Sequence, residues 1–181
     1  MGFFTGWFKK ATESKETKAQ RDLNQEACTA CHEGDFKLAL ELFAQGADPN
    51  HIGFRWEHDY DGKHKVPITP AYDAVRHNNE KAMMALIERG LNVNISLAKD
   101  GKPLLMHTIE SKKERLASIL VDHGADTTFV RKDLETCKSL AEAFDMQELL
   151  GKMEARANLP PEAQQAVTAM RPIQLKKGAT P

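Results

Sequence analysis

Apolar residues recur at i, i+1, i+4 and i+5 in three stretches of the chain, the spacing of one buried stripe on a helix. They are Leu38, Ala39, Leu42 and Phe43; then Ala82, Met83, Leu86 and Ile87; then Leu116, Ala117, Leu120 and Val121. A fourth stretch opens with Leu149, Leu150 and Met153 and breaks at Glu154, as a water-facing end unit requires. Each of the first three runs into a glycine: Gly46-Ala47-Asp48-Pro49-Asn50, Gly90-Leu91-Asn92-Val93-Asn94 and Gly124-Ala125-Asp126-Thr127-Thr128. These glycines are 44 and then 34 residues apart, so a period near 33 with one insertion of about eleven residues explains both. One further period reaches Ala157-Asn158, which fits a fourth, degenerate unit.

Ahead of each stripe the pattern predicts a shorter helix carrying small residues for close packing: Ala27 and Ala30, Ala74, Thr108, and Ala141. Thr69-Pro70 reads as a helix start, with a hydroxyl to cap free amides and a proline suited to the first turn. The closing glycines suit the left-handed conformation that ends a helix. One unit is then a short helix, a turn, a longer helix and a glycine stop. It cannot bury its apolar face alone, so stacking is expected.

Thr69-Pro70-Ala71-Tyr72-Asp73-Ala74-Val75, Gly34-Asp35-Phe36 and the three Gly-x-[Asp/Asn] endings resemble the ankyrin repeat family over about 138 residues. The resemblance implies an all-α fold, an ankyrin-repeat solenoid of about four helix-turn-helix units. The repeats fall at about 22–50, 69–94, 103–128 and 136–157. A lengthened β-hairpin at 51–67 separates repeats 1 and 2. Residues 1–20 form a basic and aromatic leader, and 159–181 a capping helix and a mobile basic tail. There are departures: only the second unit keeps Thr-Pro, with Pro103-Leu104-Leu105 in the third and Gln25-Glu26 in the first. Where the family places a glycine between the helices, Gly34 is followed by Asn78, Lys112 and Asp145. Asn and Asp tolerate positive φ, whereas Lys112 is expected to be strained there by about 1 kcal/mol or more.

In the insertion, Phe54, Trp56, His58 and Tyr60 alternate with Arg55, Glu57, Asp59 and Asp61. Period two predicts a strand, and Asp61-Gly62 is a hairpin turn signal. One face is then aromatic and the other charged. Trp, Tyr and Arg are enriched at binding hot spots. Phe54 and Trp56 either project as contacts or fold back onto the first two repeats. The connector Asn94–Lys102 has its own turn at Asp100-Gly101. By the family resemblance, proteins bind in the concave groove, which adds Asp73, Arg76 and His77 as candidates. The partner-binding set is Arg55, Trp56, His58, Tyr60, Asp73, Arg76 and His77.

The chain has 181 residues and a net charge of −1, with 41% hydrophobic residues. That composition supports a core and excludes wholesale disorder. Near-neutral charge argues against a nucleic-acid binder, although each end is +2 around a body of −5. No apolar run is long enough for a membrane span. Three cysteines suit a reducing compartment, so a cytoplasmic protein is expected, at most peripheral to a membrane. Met1–Phe8 is apolar but short, and Lys9 and Lys10 follow it, the reverse of a secretory signal. Phe3, Phe4, Trp7 and Phe8 beside those lysines are instead candidates for a weak peripheral membrane contact through residues 1–10, the rival being that the segment docks on another protein or on the repeat stack.

Cys28-Thr29-Ala30-Cys31-His32 matches a c-type haem attachment pattern, and Cys28, Cys31 and His32 lie close enough along a helix for zinc. The competing reading makes the two cysteines half-buried packing neighbours. His51, His58, Asp59, Asp61 and His64 in the finger are further metal candidates, His58 and His64 facing each other across the hairpin turn; the competing reading makes them exposed polar residues. Catalytic signatures are missing: no phosphate-binding glycine loop, Gly-x-Ser-x-Gly elbow or His-Glu-x-x-His occurs. The expectation is therefore a non-enzymatic adaptor, scaffold or inhibitor without a cofactor, binding another protein through groove and finger. The alternative is a metal- or haem-binding redox protein using Cys28, Cys31 and His32 or the finger histidines.

Overall fold

The computed structural model describes residues 17–59, 62–96, 102–131, 134–160 and 162–163. The candidate membrane residues Phe3, Phe4, Trp7 and Phe8, together with Tyr60, Asp61, the turn at Asp100-Gly101 and most of the 159–181 capping segment, lie outside them. The described chain forms helices in pairs: α1 (Lys18–Glu33) with α2 (Phe36–Ala44), α3 (Pro70–Arg76) with α4 (Glu80–Glu88), α5 (Leu104–Glu110) with α6 (Glu114–Asp122), and α7 (Cys137–Ala143) with α8 (Gln147–Ala157). The first helices of the pairs touch in succession, α1 on α3 on α5 on α7. The second helices do the same, so the core is a sandwich of two helical layers.

Five of the eight described helix starts are capped by their own N-terminal side chain. Asp35 and Asn79 accept from the backbone N–H of Leu38 and Ala82, both at 3.0 Å, and so cap α2 and α4. Thr69 caps α3 ahead of Pro70, and Thr136 with Ser139 forms a capping box on α7. Helix α8 has no cap of its own. Instead the Glu114 carboxylate reaches across from α6 to accept from the N–H groups of Glu148 (2.9 Å) and Leu149 (3.4 Å). The stops are equally local: Gly46, Gly90 and Gly124 have φ of 103°, 97° and 93°. Asn78, Lys112 and Asp145 take φ of 51°, 56° and 55°, so the lysine does occupy the strained left-handed position. Its ammonium lies 4.9 Å from the Phe144 ring centroid, a cation–π contact that offsets part of that cost.

The stripes are buried almost as the spacing predicts: of the twelve residues in the first three, only Leu38 is exposed. Cys28, Cys31 and Cys137 are buried completely rather than by half. Helix α1, at 16 residues, is longer than the nine of its partner, contrary to the short-then-long pattern. Thr17 starts it, and its first turns are polar and carry no stripe to betray them.

The expected all-α solenoid is corrected by the strands. β1 (Gly53–Asp59) and β2 (Gly62–Ile68) form an antiparallel ribbon, and isolated antiparallel bridges join Ser96 to Pro103 and Val130 to Thr136. The fold is mixed, eight helices and antiparallel β-structure among the described residues. The ribbon belongs to the body because its base is packed into it. A Cβ on Gly53 would come within 2.8 Å of the Cys28 Cβ, so only glycine lets β1 approach α1 this closely. Ile68, paired with Gly53 across the ribbon, is buried.

Side-chain amides tie the successive helix pairs together. Asn50 Nδ2 donates to the Gly90 carbonyl (2.9 Å), and its Oδ1 accepts from Asn92 N–H (2.6 Å). Asn94 repeats this one unit on, with the Gly124 carbonyl (3.4 Å) and Asp126 N–H (2.7 Å). At the N-terminal end α1 supplies both roles: Gln20 donates to the Gly46 carbonyl (3.0 Å) and Asn24 accepts from Asp48 N–H (2.9 Å). Thr128, at the equivalent place in the third loop, uses its hydroxyl on Asp126 within its own loop (2.7 Å). Among the described residues, no helix is long and apolar enough to cross a membrane.

Candidate functional site

Two surfaces meet at the ribbon. The first is an open groove of about 430 Å³ between β2, α3 and α5. Val66, Pro67 and Tyr72 give it an apolar floor, and Arg55, Arg76 and Lys113 give it a cationic rim. At its side stands a polar junction between α1 and α3. Asp73 Oδ1 lies 2.9 Å from His32 Nδ1 and accepts from Arg76 Nε at 3.1 Å. Arg76 also donates to the His32 carbonyl, and so does His77 Nε2, at 3.1 Å. The His77 ring packs edge-on against Phe36 and lies 3.0 Å from where a Cβ on Gly34 would be. Asp73 is therefore spent on holding α1 to α3: its side chain is 6% exposed, and its Oδ2 is buried without a hydrogen-bond partner. Arg76 keeps 49% of its side chain in solvent and can also meet a ligand.

Deeper in the groove His107 packs against the Tyr72 ring, centroids 4.9 Å apart. Burial holds its pKa below the usual histidine value, with Lys102 adding to the shift and Glu110 opposing it.

The second surface is the outer face of the ribbon. Phe54 is 49% and Trp56 54% exposed, so neither folds back onto the helices. Lys65 Nζ lies 5.1 Å from the Trp56 ring centroid and 5.8 Å from that of Phe54, and Lys63 Nζ lies 4.8 Å from Trp56. These contacts hold the aromatic plates upright between two ammonium groups. His58 is exposed beside them, paired with Lys63. On the opposite face Arg55 forms an ion pair with Glu57.

The structure thus gathers Arg55, Asp73 and Arg76 at the groove, places Trp56 and His58 on the other side of the ribbon, and seats His77 in the α1–α3 junction. Sequence reasoning misses Lys63, Lys65 and Lys113. Each is visible as a lysine in or near a turn, but its neighbours depend on register and tertiary contact. The register differs from the one expected: Asp59 pairs with Gly62, so His58 faces Lys63 and Glu57 pairs with His64. The two histidines are not opposed.

The Cys28-Cys31-His32 string does not form a ligand set. Both thiols are wholly buried, and burial, the main cause, pushes each up from 9.0 to about 12, keeping it protonated and a poor ligand or nucleophile. Asp73 holds His32. No cluster of three or more His, Cys, Asp or Glu side chains suited to a metal occurs among the described residues. Compared with known proteins, the chain matches no family model and no curated relative.

Proposed function

We propose that this protein is a non-enzymatic interaction module that binds a partner protein through the ribbon and the adjoining groove. The observation that carries the reading is the pair Phe54 and Trp56, large aromatics held in solvent by a ribbon whose base is fixed to the helical body. Exposed aromatics beside cations are what interface hot spots are made of. The likeness of its units to ankyrin repeats, read from the sequence, supports the same class. Three free, buried thiols fit work in the reducing cytoplasm.

Affinity capture from the native cell tests the reading. Trp56→Ala should abolish recovery of the partner while leaving helical circular dichroism and the melting temperature nearly unchanged. Normal capture by the variant, or a large loss of stability, would overturn it.

A further inference from the structure

The hydrogen-bond phase of the ribbon shows which backbone groups each of its edges leaves open. Phe54 N–H donates to Gln25 Oε1 (3.0 Å), and Gln25 Nε2 donates to the Phe54 carbonyl (2.9 Å). Both backbone groups of Phe54 therefore point away from β2, and Gln25 closes this edge at its base, beside α1. In an antiparallel pair, inward-bonded and outward-pointing residues alternate. Phe54–Pro67, Trp56–Lys65 and His58–Lys63 are accordingly the pairs that exchange no ladder bonds. On β2 the N–H and C=O groups of Lys63 and Lys65 and the Pro67 carbonyl point outward. Pro67 fits there because the donor it lacks would have pointed outward. No hydrogen bond from these groups to another described residue is present.

Charge decides what can pair with this edge. Lys63 and Lys65 are exposed and have no carboxylate partner among the described residues. A second copy of β2 would set lysine against lysine, which disfavours self-association. A strand with acidic side chains on that face would meet both ammonium groups, and its alternate side chains would enter the groove over Val66 and Tyr72 near Arg76. A volume of about 430 Å³ lies within the range of binding pockets.

We propose that the open edge of β2 accepts a third strand: an extended segment of the partner that alternates acidic with apolar residues. This rests on the interaction-module reading and names the partner's chemistry. Backbone bonds to Lys65 and Pro67 supply register, and Lys63 and Lys65 supply selection by charge.

The test uses the full chain with two blocked seven-residue peptides, one alternating Glu and Val and the other Lys and Val. The Glu–Val peptide should bind by calorimetry and slow hydrogen exchange at the Lys65 amide by about ten-fold or more. Lys65→Glu, checked by circular dichroism for retained fold, should weaken that binding by about ten-fold or more. The Lys–Val peptide should not bind. No binding of the Glu–Val peptide, binding with the Lys65 amide exchanging as in the free protein, or equal binding of the Lys–Val peptide would each overturn the strand proposal. Trp56-dependent capture of a partner alongside any of those results leaves the interaction reading standing, whereas loss of capture in the native chain itself removes both.

Discussion

The helical body and the ribbon are stabilised in opposite ways. In the third helix pair Leu104, Leu105, Met106 and Ile109 are all completely buried, as are Leu116, Ala117 and Leu120. Every inward side chain there is consumed by packing, so identity at those positions is fixed by volume. Among the ribbon positions whose side chains are described, only those at the base, Gly53 and Ile68, are buried. Further out, backbone pairing and lysine–aromatic contacts do the holding, and side chains are left over for recognition. The comparison teaches where change is tolerated: a residue can be recruited for binding only where packing has not already taken it.

Substitutions should expose that asymmetry, with the largest effect in the body. Leu116→Ala should cost about 2–5 kcal/mol, read as a lower urea midpoint with unchanged slope. The buried thiols come next. Cys28, Cys31 and Cys137 each rise from 9.0 to about 12 on folding, chiefly through burial. A group raised in the folded state contributes stability that is fully present below its unfolded value and is lost above it. The thiols' contribution should therefore hold below about pH 9 and fall as pH rises towards about 12. Replacing all three by alanine should make the alkaline limb of a stability–pH curve shallower, and a limb of unchanged slope would refute the assignment. Asn50→Ala, which removes two bonds between neighbouring loops, should cost about 1–3 kcal/mol. Trp56→Ala should change stability by no more than about 0.5 kcal/mol. A ribbon variant that destabilises as much as Leu116→Ala would erase the contrast.

The two regions also differ in how far the sequence reveals them. In the body, burial follows a period that repeats, so the stripes and the positive-φ positions at Asn78, Lys112 and Asp145 are legible from residue order alone. The fold class is not, because a period of helices makes the strands look like an ornament on an all-α array. Gly53 is the signal that escapes notice, since its contact with Cys28 joins residues 25 positions apart and leaves no local pattern. The ribbon register escapes for a related reason. Asp61-Gly62 is the strongest turn dipeptide by propensity, yet Ile68 opposite Gly53 at the buried base sets the pairing. For the site, Trp56 and Arg76 stand out by residue type. The outward lysines and the closing role of Gln25 depend on hydrogen-bond phase, which appears only once the strands are paired.

The loop-bridging amides also give the molecule a direction of growth. Asn50 and Asn94 each grip the loop that follows, and Thr128 turns its hydroxyl back on its own loop. Anyone lengthening this protein would splice extra modules in after Asn94, each newcomer taking its grip and passing on an asparagine of its own. At Thr128 the described residues offer a following loop no such hand.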